Sequence, residues 1–164
     1  MNMEELAKRV AVALMGKNYK MATVEECTCG LLGAAIASQD YAQRWYKGTI
    51  VSFTEEAAVK LLGVPEYTIQ RNDFVSSQVA GALALDGLYK FNVNICTSIV
   101  GYVDGYGSSD VPAGEVQICV AKLVNNNVKF KYEKFKVNDK DRGKNIEHAI
   151  EEGLRLTLNH IIEE

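Results

Sequence analysis

The densest run of side chains able to do chemistry is Glu25-Glu26-Cys27-Thr28-Cys29-Gly30. It falls in a turn between a short apolar run, residues 21–24, and a helix over residues 31–37 that is apolar on nearly all sides and therefore buried. Glu26 is open to two readings: a surface or capping carboxylate, or a general base for water. Cys27 and Cys29 are separated by one residue, whereas zinc pairs usually leave two and need further ligands. The 2 histidines are His148 and His160. On one helix that spacing turns them about 120° apart. No metal site is expected. Cys96 and Cys119 sit in strand-like runs and read as small core residues.

The second region of interest is the stretch 101–114, which holds Gly101, Gly105, Gly107, Gly114 and Pro112. It is the longest irregular segment, and long ordered loops are often functional. Its backbone could form a nest for an anion, although Asp104 and Asp110 add negative charge to it.

The elements that must position these residues follow from periodicity. Residues 3–16 carry Leu6, Val10, Ala13 and Leu14 at helical spacing, with Gly16 as the stop. A strand is expected over 48–53. Thr54 then caps a helix with Glu55 and Glu56 in its first turn and Gly63 and Pro65 at its end. Ser76 or Ser77 caps the next helix, over 77–90, with Val79, Leu83 and Leu88 inward. Residues 94–100 are rich in β-branched side chains and strand-like. Strands over 115–124 and 128–136 join at Asn125-Asn126-Asn127, a hairpin signal. The last helix runs over 141–162. This order predicts one α/β domain over residues 1–164, a three-layer mixed sheet with helices on both faces.

Bulk properties fit that reading. The chain has 164 residues, 48% hydrophobic and 24% charged, and a net charge of −3. Such a length buries a core without staples. No basic cluster has the density of a nucleic-acid footprint. Lys129, Lys131, Lys134 and Lys136 alternate with aromatics and read as one solvated strand face. No apolar run reaches the ~20 residues of a membrane span, and the first residues lack a signal-peptide pattern. A cytoplasmic protein with reduced cysteines is expected. Tyr41, Trp45 and Tyr46 read as a packed corner of the core, or as an oligomer contact.

Four segments carry a resemblance to the C-terminal domain of the CinA (competence/damage-inducible) family. Residues 23–30, TVEECTCG, resemble that family's T-A-E-S-C-T-G-G. Residues 48–58, GTIVSFTEEAA, followed by Leu61, Leu62, Gly63 and Val64, resemble G-x-x-x-x-Y-S-N-E-x-K and its apolar pair, Gly and Val. Val75-Ser76 matches a short V-S before a helix. Residues 98–101, then the glycine-rich loop and residues 112–116, resemble S-x-S/T-G-I-A-G-P followed by P-V-G-x-V. A weaker echo of F-x-G-D-R-x-x-x-R covers residues 137–140 and Lys144.

The resemblance implies the nicotinamide-nucleotide amidase fold, a nucleotide-like small-molecule ligand and a homo-oligomer, without a cofactor. Active members resemble Ser–Lys amidases, which need a hydroxyl nucleophile, a neutral lysine to take its proton and donors for the oxyanion. Here the serine falls at Glu26, the tyrosine at Phe53 and the lysine at Ala58. Each change removes a function, so a catalytically silent relative that keeps a ligand- or partner-binding role is expected. Ligand-binding positions implied by the match are Glu26, Cys27, Thr28, Gly30, Thr54, Gly101, Asp104, Lys140 and Lys144. A carboxylate at 26 would also disfavour a phosphate-bearing ligand. Two alternatives remain: an amidase with a displaced mechanism using Glu26, Cys27 or Lys60, or another hydrolase using Glu26 or Asp104.

Overall fold

The computed structural model describes residues 1–163. Its elements run α1 (Met3–Lys17), β1 (Met21–Glu25), α2 (Leu31–Ala37), β2 (Tyr46–Val51), α3 (Glu55–Leu62), α4 (Glu66–Asn72), α5 (Ser77–Phe91), β3 (Ile95–Gly101), β4 (Glu115–Val124), β5 (Asn127–Lys136) and α6 (Arg142–Ile162). A 3-10 turn, Ala42–Arg44, precedes β2. The five strands form one mixed sheet in the order β2-β1-β3-β4-β5. β2, β1 and β3 are parallel, and β4 and β5 continue antiparallel.

Each face of the sheet carries its own apolar layer. α1, α2 and α6 cover one face through Leu6, Val10, Leu14, Leu32, Ile36 and Leu154. α3, α4 and α5 cover the other through Ala58, Leu62, Ile69, Leu83 and Leu88. β1 and β3 lie inside both layers and are buried at every position, as parallel strands covered on both faces must be. This is the three-layer mixed α/β domain read from the sequence.

Local chemistry sets the boundaries. Asn2 and Glu5 form a reciprocal capping box at α1, and Asn18 ends that helix in the left-handed region at φ 56°. Thr54 caps α3 by accepting the Ala57 N–H at 3.1 Å, and Ser76 caps α5 through the Val79 N–H at 3.1 Å. The β4–β5 hairpin turns on Asn125 and Asn126, both at positive φ, as a two-residue primed turn requires.

Two expectations change and one element is added. α4 has no counterpart in the sequence pattern, because its seven residues bury only Ile69 and so carry no apolar stripe. β2 starts at Tyr46, two residues before Gly48, through an irregular register where Met21 gives way to Ala22. The lysines of β5 do not share one face. Lys129 and Lys131 have odd numbers, whereas Lys134 and Lys136 have even ones, and the pairing with β4 runs without a shift between them. Tyr132 lies against Gly81 of α5, and Phe135 against His148 of α6 at 5.2 Å.

The aromatic corner divides. Trp45 is buried and Tyr46 half-buried, with its hydroxyl 2.7 Å from that of Thr23, while Tyr41 faces solvent. Among the described residues no helix is long and apolar enough to cross a membrane.

One buried lysine closes the frame. Lys122 of β4 donates to the carbonyls of His160 at 2.6 Å and Glu163 at 2.9 Å, capping the C-terminal end of α6. Burial lowers its pKa. Lys122→Met should cost about 1–2 kcal/mol, from two lost charge-assisted bonds offset by an apolar stem. Amide exchange should quicken in the last turn of α6 ahead of the rest; uniform exchange across the helix would show that Lys122 is not its cap.

Candidate functional site

β1 lies between β2 and β3. The chain leaves β1 into α2 on one face, and passes from β2 to β3 through α3, α4 and α5 on the other. The two connections part at the C-terminal end of β1, where such sheets open a crevice. A cavity of about 430 Å³ lies there. Glu26 follows β1, Phe53 and Thr54 follow β2, and Gly101, Tyr102 and Asp104 leave β3; all line it. Phe74 and Val75 precede α5, Tyr106 comes from the glycine-rich loop, and Arg142 begins α6.

Glu26 lies at the mouth of the β1 turn. Its Oε1 accepts the Gly101 N–H at 2.9 Å, and its own N–H donates to the Ile99 carbonyl at 3.0 Å. Burial raises its carboxyl to about 7; the Gly101 amide, the Arg142 guanidinium and the Cys27 amide oppose that rise, and the Asp104 carboxylate adds to it. Arg142 is itself paired with Asp104, Nη1 to Oδ2.

Asp73 holds the far wall. Its backbone lies at φ 74° and ψ 157°, a region that costs a non-glycine residue of order 1–3 kcal/mol. Its Oδ1 accepts the Tyr102 hydroxyl at 2.9 Å and the Val75 N–H at 3.0 Å. Burial alone would raise its carboxyl, but bonds from Ser108, Val75 and Tyr102 outweigh it and hold the pKa low. Burial, with Asp73 beside it, pushes the Tyr102 phenol up to about 12.

Next to Glu26 in the chain, but turned to the start of α2, is Glu25, which sequence reasoning passed over. Its carboxylate is fully buried. Oε1 accepts the Thr28 hydroxyl at 2.6 Å, the Gly30 N–H at 3.1 Å and the Leu32 N–H at 2.9 Å. Oε2 accepts the Gly33 N–H at 2.9 Å and the hydroxyls of Thr23 and Thr49, both at 3.1 Å. The positive end of α2 is thus filled by the chain's own carboxylate rather than left for a ligand. Gly33 makes this approach possible: a Cβ there would lie 2.5 Å from the Tyr46 hydroxyl and 3.1 Å from Glu25 Oε2.

The expected site residues therefore separate. Glu26, Phe53, Thr54, Gly101 and Asp104 meet at the cavity. Thr28 and Gly30 are turned to Glu25. Cys27 is buried below Gly101, and burial, with Glu26 beside it, holds its thiol well above the ordinary value. Lys140 and Lys144 are exposed and do not line the cavity; the cation there is Arg142, between them. Ala58 is fully buried in the α3–α5 layer. Lys60 points outward and pairs with Glu56 at 2.6 Å, as the two-residue offset from Ala58 predicts. Of Glu26, Cys27 and Lys60, only Glu26 reaches the cavity. His148 and His160 stand apart, and no group of three or more histidine, cysteine or acidic side chains among the described residues could hold a metal.

Arg142, Phe74 and Tyr106 were not singled out. Arg142 could have been found as the residue after the Asp141 cap of the last helix. Nothing local marks Phe74 or Tyr106, which reach the cavity by tertiary folding.

Sheet order, layering and crevice define an open-sheet α/β domain with a pocket at the switch point of its strands. The model of the CinA C-terminal domain matches residues 3–161, and the chain belongs to that family. A CinA-like protein of Mycobacterium marinum is 34% identical over 110 residues, 66% of this chain and 26% of that protein. The nicotinamide-nucleotide amidohydrolase PncC of Enterobacter agglomerans is 32% identical over 116 residues, 70% of each chain. The chain thus spans about a quarter of the length of the mycobacterial relatives it matches. Among solved structures, a CinA superfamily protein from Klebsiella pneumoniae shares 25% identity and a TM-score of 0.90 over 98% of both chains.

Proposed function

We propose that this chain is a CinA C-terminal-domain protein that does not carry out Ser–Lys amidase chemistry and uses its pocket to bind a small ligand. One observation carries the reading: no serine, cysteine or lysine lines the cavity among the described residues, and its only hydroxyls are those of Thr54, Tyr102 and Tyr106. The Thr54 hydroxyl is committed to the cap of α3, and Tyr102 donates to Asp73. The nearest thiol, Cys27, is buried and protonated at neutral pH. Without a nucleophile and its base, only residual acceleration from binding is left.

A second reading has one observation in its favour. Glu26 titrates near 7 beside the cleft, the range that suits a general base for water. One assay separates the two. Nicotinamide mononucleotide incubated with the protein should release no ammonia above the buffer rate at pH 6–8. Release that vanishes in Glu26→Gln would overturn the silent reading and make Glu26 the base. A cytoplasmic, self-associating protein completes the proposal; the four cysteines are free, as a reducing compartment leaves them.

A further inference from the structure

The pocket's walls combine charge and aromatic surface in a way that selects a ligand class. Three carboxylates face it, from Glu26, Glu55 and Asp104, against one cation, Arg142. Asp104 already pairs with Arg142. That leaves Glu26 and Glu55 without a fixed positive partner among the lining residues. Around Glu26 stand the rings of Phe53, Phe74, Tyr102 and Tyr106. Phe53 is half exposed, which leaves ring surface for a ligand to cover.

An anionic ligand finds little here. The N-terminus of α2, which elsewhere serves anions, is filled by Glu25. The one guanidinium is engaged, and the added carboxylates repel negative charge. A flat cation suits the walls other than Arg142, whose charge Asp104 offsets. Its N–H groups can donate to a carboxylate whose oxygens each keep a second lone pair. Its positive face can stack on aromatic rings.

Resting on the ligand-binding reading above, we infer that the pocket takes a flat organic cation of the amidinium or guanidinium class, held by the Glu26 carboxylate and the surrounding aromatic rings. The volume of about 430 Å³ is within the ordinary range for small-molecule sites.

Binding is then gated by pH. The groups that face Glu26 are Arg142 and Asp104, the Cys27 thiol behind it, and Glu55, Tyr102 and Tyr106 across the cavity. Cys27 stays far above neutral, Tyr102 is near 12, and Asp104 raises Arg142 further. Neither histidine lines the cavity. Glu26, near 7, is the group that changes charge between pH 6 and 8. Its ionised fraction rises with pH, so cation affinity rises with it, by about tenfold over that interval.

Three isosteric probes test this: benzamidinium, benzamide and benzoate, titrated by calorimetry at pH 6 and pH 8. Benzamidinium should bind tightest and gain about tenfold from pH 6 to pH 8. Glu26→Gln should weaken it at least tenfold at pH 8 and flatten the pH dependence. That variant keeps an acceptor for the Gly101 N–H and removes a costly buried charge, so it folds. Phe53→Ala should weaken benzamidinium at both pH values. Benzamide or benzoate binding as tightly as benzamidinium, with loss in Phe53→Ala, would overturn the cation assignment and leave the ligand-binding reading standing. Benzamidinium binding indifferent to Glu26→Gln overturns the assignment too. Binding by none of the probes would sink both.

Discussion

Glu25→Gln should lower stability by about 3 kcal/mol, or about 6–12 °C in melting temperature. The carboxylate is fully buried and takes six donors, three on each oxygen. Glutamine keeps the shape but turns one acceptor into a donor. Placed toward Gly30 and Leu32, its NH₂ would face two fixed amides. Placed toward Oε2, it meets the hydroxyls of Thr23 and Thr49, which can rotate to accept, and only the Gly33 N–H stays opposed. The second orientation is the cheaper, and one orphaned amide plus the lost charge sets the figure. Glu25→Ala should cost more, because it leaves the Gly30, Leu32 and Gly33 amides unpaired and opens a void. Thermal and urea unfolding measure both. A Glu25→Gln protein within about 0.5 kcal/mol of the parent would mean that this carboxylate does not anchor the turn.

Gly114→Ala should cost at least about 3 kcal/mol, from a blocked backbone approach and a left-handed conformation together. Gly114 has φ +84°, and a Cβ there would lie 2.1 Å from the carbonyl oxygen of Val137. The obstacle is backbone and cannot swing aside. Gly114 also donates to the Tyr102 carbonyl at 2.8 Å and accepts the Val137 N–H at 2.8 Å. It therefore ties the exit of β3 to the segment after β5, and displacing it moves Tyr102 within the cavity. Gly105, in the same loop, is the control: nothing lies within 4 Å of a Cβ placed there. Gly105→Ala should leave stability within about 0.5 kcal/mol. Equal behaviour of the two variants would show that the loop is not pinned at Gly114.

Element types and most boundaries were legible in the sequence alone, because they rest on local chemistry. Thr54, Ser76 and Asp141 cap helices through their own side chains, and apolar periodicity marks α1 and α5. α4 escaped because two turns with one buried residue leave no pattern. The β5 lysines divide between two faces because side chains alternate by parity along a strand, which their composition does not reveal.

The ordered motifs also set Glu26, Phe53 and Ala58 opposite the family's chemical positions in one dimension, and the proposed silence rests on that correspondence. What no local pattern held was who meets whom. Glu25 and Glu26 are neighbours in the chain, yet strand alternation sends them opposite ways, one into the N-terminus of α2 and the other to the cavity. Lys140, Arg142 and Lys144 are interchangeable to a motif, but the start of α6 presents only Arg142 to Asp104. Asp73 and Tyr102 lie far apart in sequence and are joined by one hydrogen bond. Local sequence patterns were enough for every element but α4, and for the family. The tertiary structure decided which of the remaining groups share a pocket and in what electrostatic setting, because burial and long-range contact, not neighbouring residues, set both.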